Sequence, residues 1–181
     1  DLDQIATLGF RGEALASIAS VCHVSIVSRT ADETAGTLLK LVSGAVASRH
    51  ATGAVVGTSV TAENLFHAVP ARLKFLRSDA TEAAHILDLV TCYALAYPDR
   101  RFAVVRDGRT VFQSPGTGEL EDTLIAAFGL DVAREMIAVS LDEAAAAVDA
   151  DAAGTAVRVR GHVSPPHIHR ASRRHITLFV N

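Results

Sequence analysis

The sequence predicts an α+β fold in which an antiparallel or mixed sheet carries helices on one face. Three observations predict it. Short alternating stretches follow one another across brief turns between His23 and Phe66. Segments with helical apolar spacing stand on either side of them. Apolar residues make up 49% of the chain, enough to fill a core, chiefly with Ala, Val and Leu because Trp is absent.

Each element has a local reason. Gly12–Val21, GEALASIASV, places Ala14, Leu15, Ile18 and Ala19 at helical spacing. HVSIVSRT, TLLKLVSG, AVASRHATG and GTSVTAENLF read as strands, with turns near ADETAG and Gly44. PARLKFLRS opens with Pro70, whose fixed φ suits a first helical turn. Ser78 or Asp79 caps the next helix, with Glu82 favourably placed in its first turn. Ala83, Ile86, Leu87, Val90, Tyr93 and Tyr97 form the stripe expected to be buried, and Pro98 marks the end. RFAVVRDGRTVFQ is a hairpin around Asp107-Gly108. LEDTLIAAFG is a helix ended by Gly129, and AREMIAVSL passes from helix into strand. DEAAAAVDADAAG is an Ala-rich acidic loop. TAVRVRGHVS and RHITLFVN are expected strands joined by the PPHIHRAS loop. The Pro/Gly-rich SPGTGE, Ser114–Glu119, is the expected domain boundary, dividing the chain into 1–115 and 116–181. DLDQIATLG at the start and an apolar strand at the end lead us to expect an internal piece of a longer protein.

The formal net charge of −3 argues against a uniformly basic nucleic-acid coat. The distribution is uneven, because no acidic residue follows Asp151. That tail holds Arg158, Arg160, Arg170, Arg173 and Arg174 with His162, His167, His169 and His175. These cations either form an anion-binding face or merely solvate strand surfaces. Cys22 and Cys92 make no disulfide framework and no zinc spacing, and point to free thiols in a reducing cytosol. No apolar run is long enough to span a bilayer, and no signal peptide is visible. His167 and His169 lack a neighbouring Cys, Asp or Glu in sequence, so a solvent loop is the better reading than a metal site. Ser17, Ser20 and Ser25 sit in no nucleophile elbow.

The stretch TLGFRGEALASIAS, Thr7–Ser20, carries the chemistry. Gly9 and Gly12 remove side chains where a polyanion would approach the backbone. The helix that follows offers unpaired N–H groups and a positive dipole end, which together suit an anion. Arg11 could meet phosphate or brace the loop, and Glu13 is expected to face outward or pair with it. On spacing alone, an ordinary glycine loop before a helix explains these residues better. The basic block Arg72, Lys74 and Arg77 is interleaved with Leu73, Phe75 and Leu76. Phe75 and Leu76 are expected to anchor it, with Arg77 and secondarily Arg72 near a DNA phosphate.

TLGFRGEALASIAS resembles the signature of the MutL family of DNA mismatch repair proteins, and GTSVTAENLFHAVPARLKFLRS resembles a second block of that family. The resemblance runs from Asp1 to about Tyr97 and more weakly to ITLFVN. It implies part of an ATP-binding α/β sandwich, of the superfamily that includes gyrase and histidine kinases, followed by the start of a ribosomal-S5-like domain. It implies that Gly9, Phe10, Arg11, Gly12, Glu13, Ala14 and Leu15 match the loop over the triphosphate of ATP, that Gly57 and Thr58 match a strand-borne pair near the adenine, and that Arg72 and Lys74 match the family's basic block. It further implies slow ATP hydrolysis with Mg2+, homodimerisation through the amino-terminal region, clamping of double-stranded or mismatched DNA, a MutS-type mismatch-recognition partner, and a bacterial cytoplasmic, nucleoid-associated location. The family's catalytic Glu, magnesium-binding Asn and adenine-reading Asp lie upstream of these blocks, and its γ-phosphate lysine lies downstream. No catalytic residue and no metal ligand is therefore assigned within the chain, and Ala68 stands where the family usually has Asn. The alternatives are a relative of the type II topoisomerase ATPase subunit, whose lid is longer and whose glycine loop differs, and a DNA- or partner-binding module without nucleotide chemistry.

Overall fold

The computed structural model describes residues 12–143 and 157–180. Two compact units divide at Arg77/Ser78. In the first unit, helix α1 (Ala14–Val21) precedes strands β1 (His23–Arg29), β2 (Gly36–Val42), β3 (Ala45–Thr52) and β4 (Gly57–Glu63), and a short helix α2 (Pro70–Leu73) follows. The strands form a four-stranded sheet in the order β3-β2-β1-β4. Every pairing is antiparallel, so of the two sheet types expected the antiparallel one is found. Ser43 and Gly44 both have positive φ, 49° and 78°, the tight hairpin geometry that matches the twist of β2 and β3.

Registers define the sheet faces. Val24, Ile26 and Ser28 of β1 lie opposite Ala62, Val60 and Thr58 of β4, and Val24 and Ile26 lie opposite Leu41 and Leu39 of β2. Because successive side chains alternate, these residues share one face. Helix α1 packs onto one end of it, where Ala19, Cys22 and Val24 form the buried core with Ile26 and Leu41 against them. Ala19 is the buried residue of α1, whereas Leu15 and Ile18 are exposed. The expected apolar stripe of α1 is thus only partly covered, because nothing among the described residues packs over its outer side.

The second unit contains helix α3 (Asp79–Ala96), the hairpin β5 (Ala103–Arg106) and β6 (Arg109–Gln113), helices α4 (Leu120–Phe128) and α5 (Leu130–Glu135), and the ribbon β7 (Ile137–Glu143) and β8 (Val157–Val163). Ser78 is the N-cap of α3, its hydroxyl accepting from the Thr81 N–H, with Asp79 and Glu82 in the first turn. Asp107 and Gly108 at φ 51° and 73° close the β5–β6 hairpin. The Ser114–Glu119 stretch is tightly tied down: buried Ser114 accepts from the Phe102 N–H at 2.9 Å and donates to the Arg100 carbonyl at 3.3 Å. The Gly118 N–H donates to the Pro98 carbonyl at 3.0 Å.

Two expectations for this unit need correction. On α3 the buried residue is Ala94, while Ile86, Tyr93 and Tyr97 of the expected stripe are exposed. The helix neighbours α4 and β5, which cover a narrower strip than its apolar periodicity offers. Residues 176–180 form no strand, because no described strand lies beside them to take their backbone hydrogen bonds. Ile176, Leu178, Phe179 and Val180 are exposed instead.

The β7–β8 ribbon has two unlike faces. Opposed pairs Ile137–Val163 and Leu141–Val159, with Val139, make one face, and all five aliphatic side chains are exposed. Ala138–His162 and Ser140–Arg160 belong to the other. There His162 Nε2 lies 3.3 Å from Glu121 Oε1 of α4. Among the described residues no helix is long and apolar enough to cross a membrane.

Candidate functional site

Gly9, Phe10 and Arg11 lie outside the described residues. From Gly12 onward the arrangement is defined. Gly12 has φ +65°, a left-handed conformation that side-chain-bearing residues adopt at a cost, and a Cβ there would meet nothing within 4 Å. Glu13 is the N-cap of α1, its carbonyl accepting from the Ser17 N–H at 2.9 Å. Its side chain makes no cap hydrogen bond, and the first turn contains no acidic residue. The Glu13 side chain therefore serves none of the opening amides of α1, which begin with Ala14 and Leu15. Gly12, Glu13, Ala14 and Leu15 are all exposed. Donors and the positive dipole end face outward, electrostatics that favour an anion.

Gly57 and Thr58 open β4, the edge strand beside β1. Gly57 has φ +129°, in open space, and pairs with Arg29. Thr58 Oγ1 lies 2.8 Å from Ser28 Oγ across the strand pair. By the registers above, Thr58 projects on the sheet face that α1 partly covers. Next to it lies a shallow concavity of about 260 Å3 lined by Ile26, Ser28, Thr37, Leu39 and Arg49. Its lining combines aliphatic side chains with two hydroxyls and one guanidinium.

The basic block is arranged differently from expectation. Arg72 lies in the last turn of α2, its guanidinium carbon 5.9 Å from the Phe66 ring centroid, at the outer limit of a cation–π contact. Lys74 is the C-cap of α2 and exposed. Arg77 is exposed at the end of the unit. Phe75 is 84% exposed and Leu76 is also exposed, so neither anchors the block. The anchor is the loop before it. The Phe66 N–H donates to the Val21 carbonyl at 2.7 Å, tying the loop to the end of α1. His67 packs on His23 with ring centroids 4.3 Å apart, and Asn64 Nδ2 lies 3.2 Å from His23 Nδ1. Asn64 and Phe66 have positive φ, 57° and 62°, a conformation uncommon for Asn and strained for an aromatic residue. Sequence reading missed His23, Asn64, Phe66 and His67. Asn64, Phe66 and His67 lie within the GTSVTAENLFHAVPARLKFLRS block just before Pro70, whereas His23 is 41 residues from Asn64 and carries no local signal.

Of the tail histidines, His167 Nε2 lies 2.5 Å from Glu135 Oε2 on α5. The acidic neighbour that His167 lacks in sequence is supplied by the fold. Among the described residues no cluster of three or more His, Cys, Asp or Glu side chains is placed to hold a metal.

No protein-family model matches the chain. The DNA mismatch repair protein MutL of Streptococcus thermophilus is 41% identical over all 181 residues, which correspond to 26% of its length. That of Desulforamulus reducens is also 41% identical over the whole chain, corresponding to 27% of its length. The chain thus spans about a quarter of the curated relatives it matches. Among solved structures, the Aquifex aeolicus MutL ATPase domain complexed with ADP superposes with a TM-score of 0.66 at 28% identity, over 72% of this chain and 52% of that one. The amino-terminal domain of a DNA repair protein shares the fold with a TM-score of 0.73 at 23% identity, over 88% of this chain and 50% of that one. All 181 residues are homologous to the MutL DNA mismatch repair proteins, and it is with that family that the chain belongs.

Proposed function

We propose that the chain supplies the phosphate-binding lid and an adenine-side strand of a MutL-type ATPase, together with a contact for DNA in mismatch repair. The observation that carries this reading is the start of α1: a left-handed Gly12 followed by helical amides that the N-cap side chain of Glu13 leaves uncapped. Gly9, Phe10, Arg11, Gly12, Glu13, Ala14 and Leu15 hold the phosphates, chiefly through backbone N–H groups. Gly57 lets the backbone approach the adenine side, and Thr58 offers its hydroxyl there. The ADP bound by the Aquifex aeolicus domain supports an adenine nucleotide as the ligand class.

The amides fit a polyphosphate. Mg2+ would accompany it and neutralise phosphate charge, but no described cluster of side chains suits the ion, so this reading assigns its ligands and the catalytic base to other parts of a longer MutL polypeptide. Arg72, Lys74 and Arg77 contact the DNA backbone without reading bases, which makes binding sequence-tolerant and salt-sensitive. Residues 1–115 belong to the ATPase domain and 116–181 open the ribosomal-S5-like domain. In the whole protein, nucleotide-driven dimerisation clamps duplex DNA and couples a MutS-type partner to excision.

Titration of ADP and ATP, with Mg2+, into a full-length MutL polypeptide carrying these residues tests the reading. Saturable binding is expected. Intact DNA binding with no nucleotide affinity would instead make the chain a binding module.

A further inference from the structure

We propose that the loop Ser164–Ile176 is a second contact for the phosphodiester backbone of duplex DNA, separate in sequence from the Arg72–Arg77 block; it rests on the nucleic-acid reading above. The loop leaves β8 and curls on itself. The Ile168 N–H donates to the Pro165 carbonyl at 3.0 Å, His175 to Ser172 at 3.3 Å and Ile176 to Arg173 at 3.0 Å. Pro165 and Pro166 restrict its entry. The result is a concavity of about 380 Å3 whose lining includes His169, Arg170, Arg173 and His175 and contains no acidic residue.

Two nearby carboxylates are already engaged by other histidines: Glu135 by His167 and Glu121 by His162. The acid-free composition after Asp151 therefore becomes a local surface in which cations converge without carboxylates lining it. Arg170 Nη1 donates to the His169 carbonyl at 3.3 Å, which holds its guanidinium near the loop while leaving other donors of the planar fork for phosphate. No Phe, Tyr or Trp lines the concavity, and its Arg and His side chains are donors suited to phosphate and sugar oxygens. Phosphate contact through arginine forks is the chemistry of a backbone track, and a duplex presents such phosphates at regular spacing.

The test uses a full-length MutL polypeptide carrying these residues, with Arg170→Ala and Arg173→Ala combined. Duplex affinity is measured by fluorescence anisotropy across a salt series. The expected result is about tenfold weaker binding at low salt and a log–log salt slope shallower by roughly two, one phosphate lost per arginine. The Arg170→Lys, Arg173→Lys pair should retain most of the slope, and adenine-nucleotide affinity should not change in either variant. An unchanged slope, with wild-type protein binding duplex normally, overturns this proposal alone. Wild-type protein that binds no duplex overturns the DNA reading as well. Inorganic pyrophosphate at matched ionic strength is the separating arm: if its affinity falls in the alanine pair while duplex affinity does not, the loop is a free-anion site and the duplex contact is excluded.

Discussion

Thr58 Oγ1 and Ser28 Oγ lie 2.8 Å apart, joining edge strand β4 to β1 on the sheet face that also receives α1. The bond is solvent-exposed, so its net stabilisation is small, about 0.5–1 kcal/mol. Its consequence is orientation: it holds the Thr58 hydroxyl over the sheet face instead of leaving it to rotate. Thr58→Val keeps the shape and removes the hydroxyl. In a full-length protein we expect nucleotide Kd to rise by about five- to tenfold with a melting temperature within a few degrees of the original. Unchanged affinity in isothermal titration would remove Thr58 from the site.

Gly12 at φ +65° has space around it but a left-handed conformation that residues with a Cβ adopt at a cost. Gly12→Ala should therefore cost about 1–2 kcal/mol through backbone strain alone, without a steric clash. Gly12→Asn should cost less, because Asn tolerates left-handed geometry. If the opening amides of α1 hold phosphate, ATP affinity should follow the same order, glycine above asparagine above alanine. Equal affinities across the series, measured by titration, would contradict the role given to this helix start.

The turn between β1 and β2 has a pH signature. Glu33 accepts from both the backbone N–H and the hydroxyl of Thr30, each at 2.8 Å. The backbone bond is the largest cause, and together they hold the Glu33 carboxyl below its ordinary range. Asp32 is lowered too, chiefly by the Thr30 side chain. A depressed carboxyl stabilises the fold above its unfolded pKa, and that stabilisation is lost as pH falls through the folded value. Both groups are fully exposed, so the effect is small. The melting temperature should decline on acidification below about pH 4.5, and Glu33→Gln should flatten that decline. An identical acid limb in the variant would refute it.

The exposed aliphatic face of β7–β8, with Leu141 opposite Val159, is a liability for the 181-residue chain on its own. Leu141→Lys places a charge on that face without disturbing the backbone ladder. We expect lower self-association in light scattering and a stability change within about 0.5 kcal/mol. Increased aggregation, or marked destabilisation, would mean that this face is covered when the chain is alone.

The chain by itself should show no steady-state ATP hydrolysis. Helical amides bind phosphate but abstract no proton from water, and the sequence resemblance assigns no catalytic residue within the chain. A contaminant-free turnover that disappears with Glu13→Gln would overturn this and make Glu13 the base.

What the sequence by itself determined are the features set by neighbouring residues. The Ser78 cap, Pro70 at the start of α2, the Asp107-Gly108 turn and the order of strands from His23 to Glu63 all depend on local sterics and short hydrogen bonds. The glycine-arginine motif and the Pro-Ala-Arg block were legible in the same way, as residue types at fixed spacing. Tertiary structure decided what each surface meets. It covered Ala94 of α3 and left Ile86 and Tyr93 open, and it exposed Phe75 while bracing its neighbours through Phe66 and His67. It also gave His167 a carboxylate 32 residues away and left Ile176–Val180 without a strand to pair with. Periodicity states which side of an element could be buried; only the presence of a packing partner, brought near by the rest of the chain, removes that side from water.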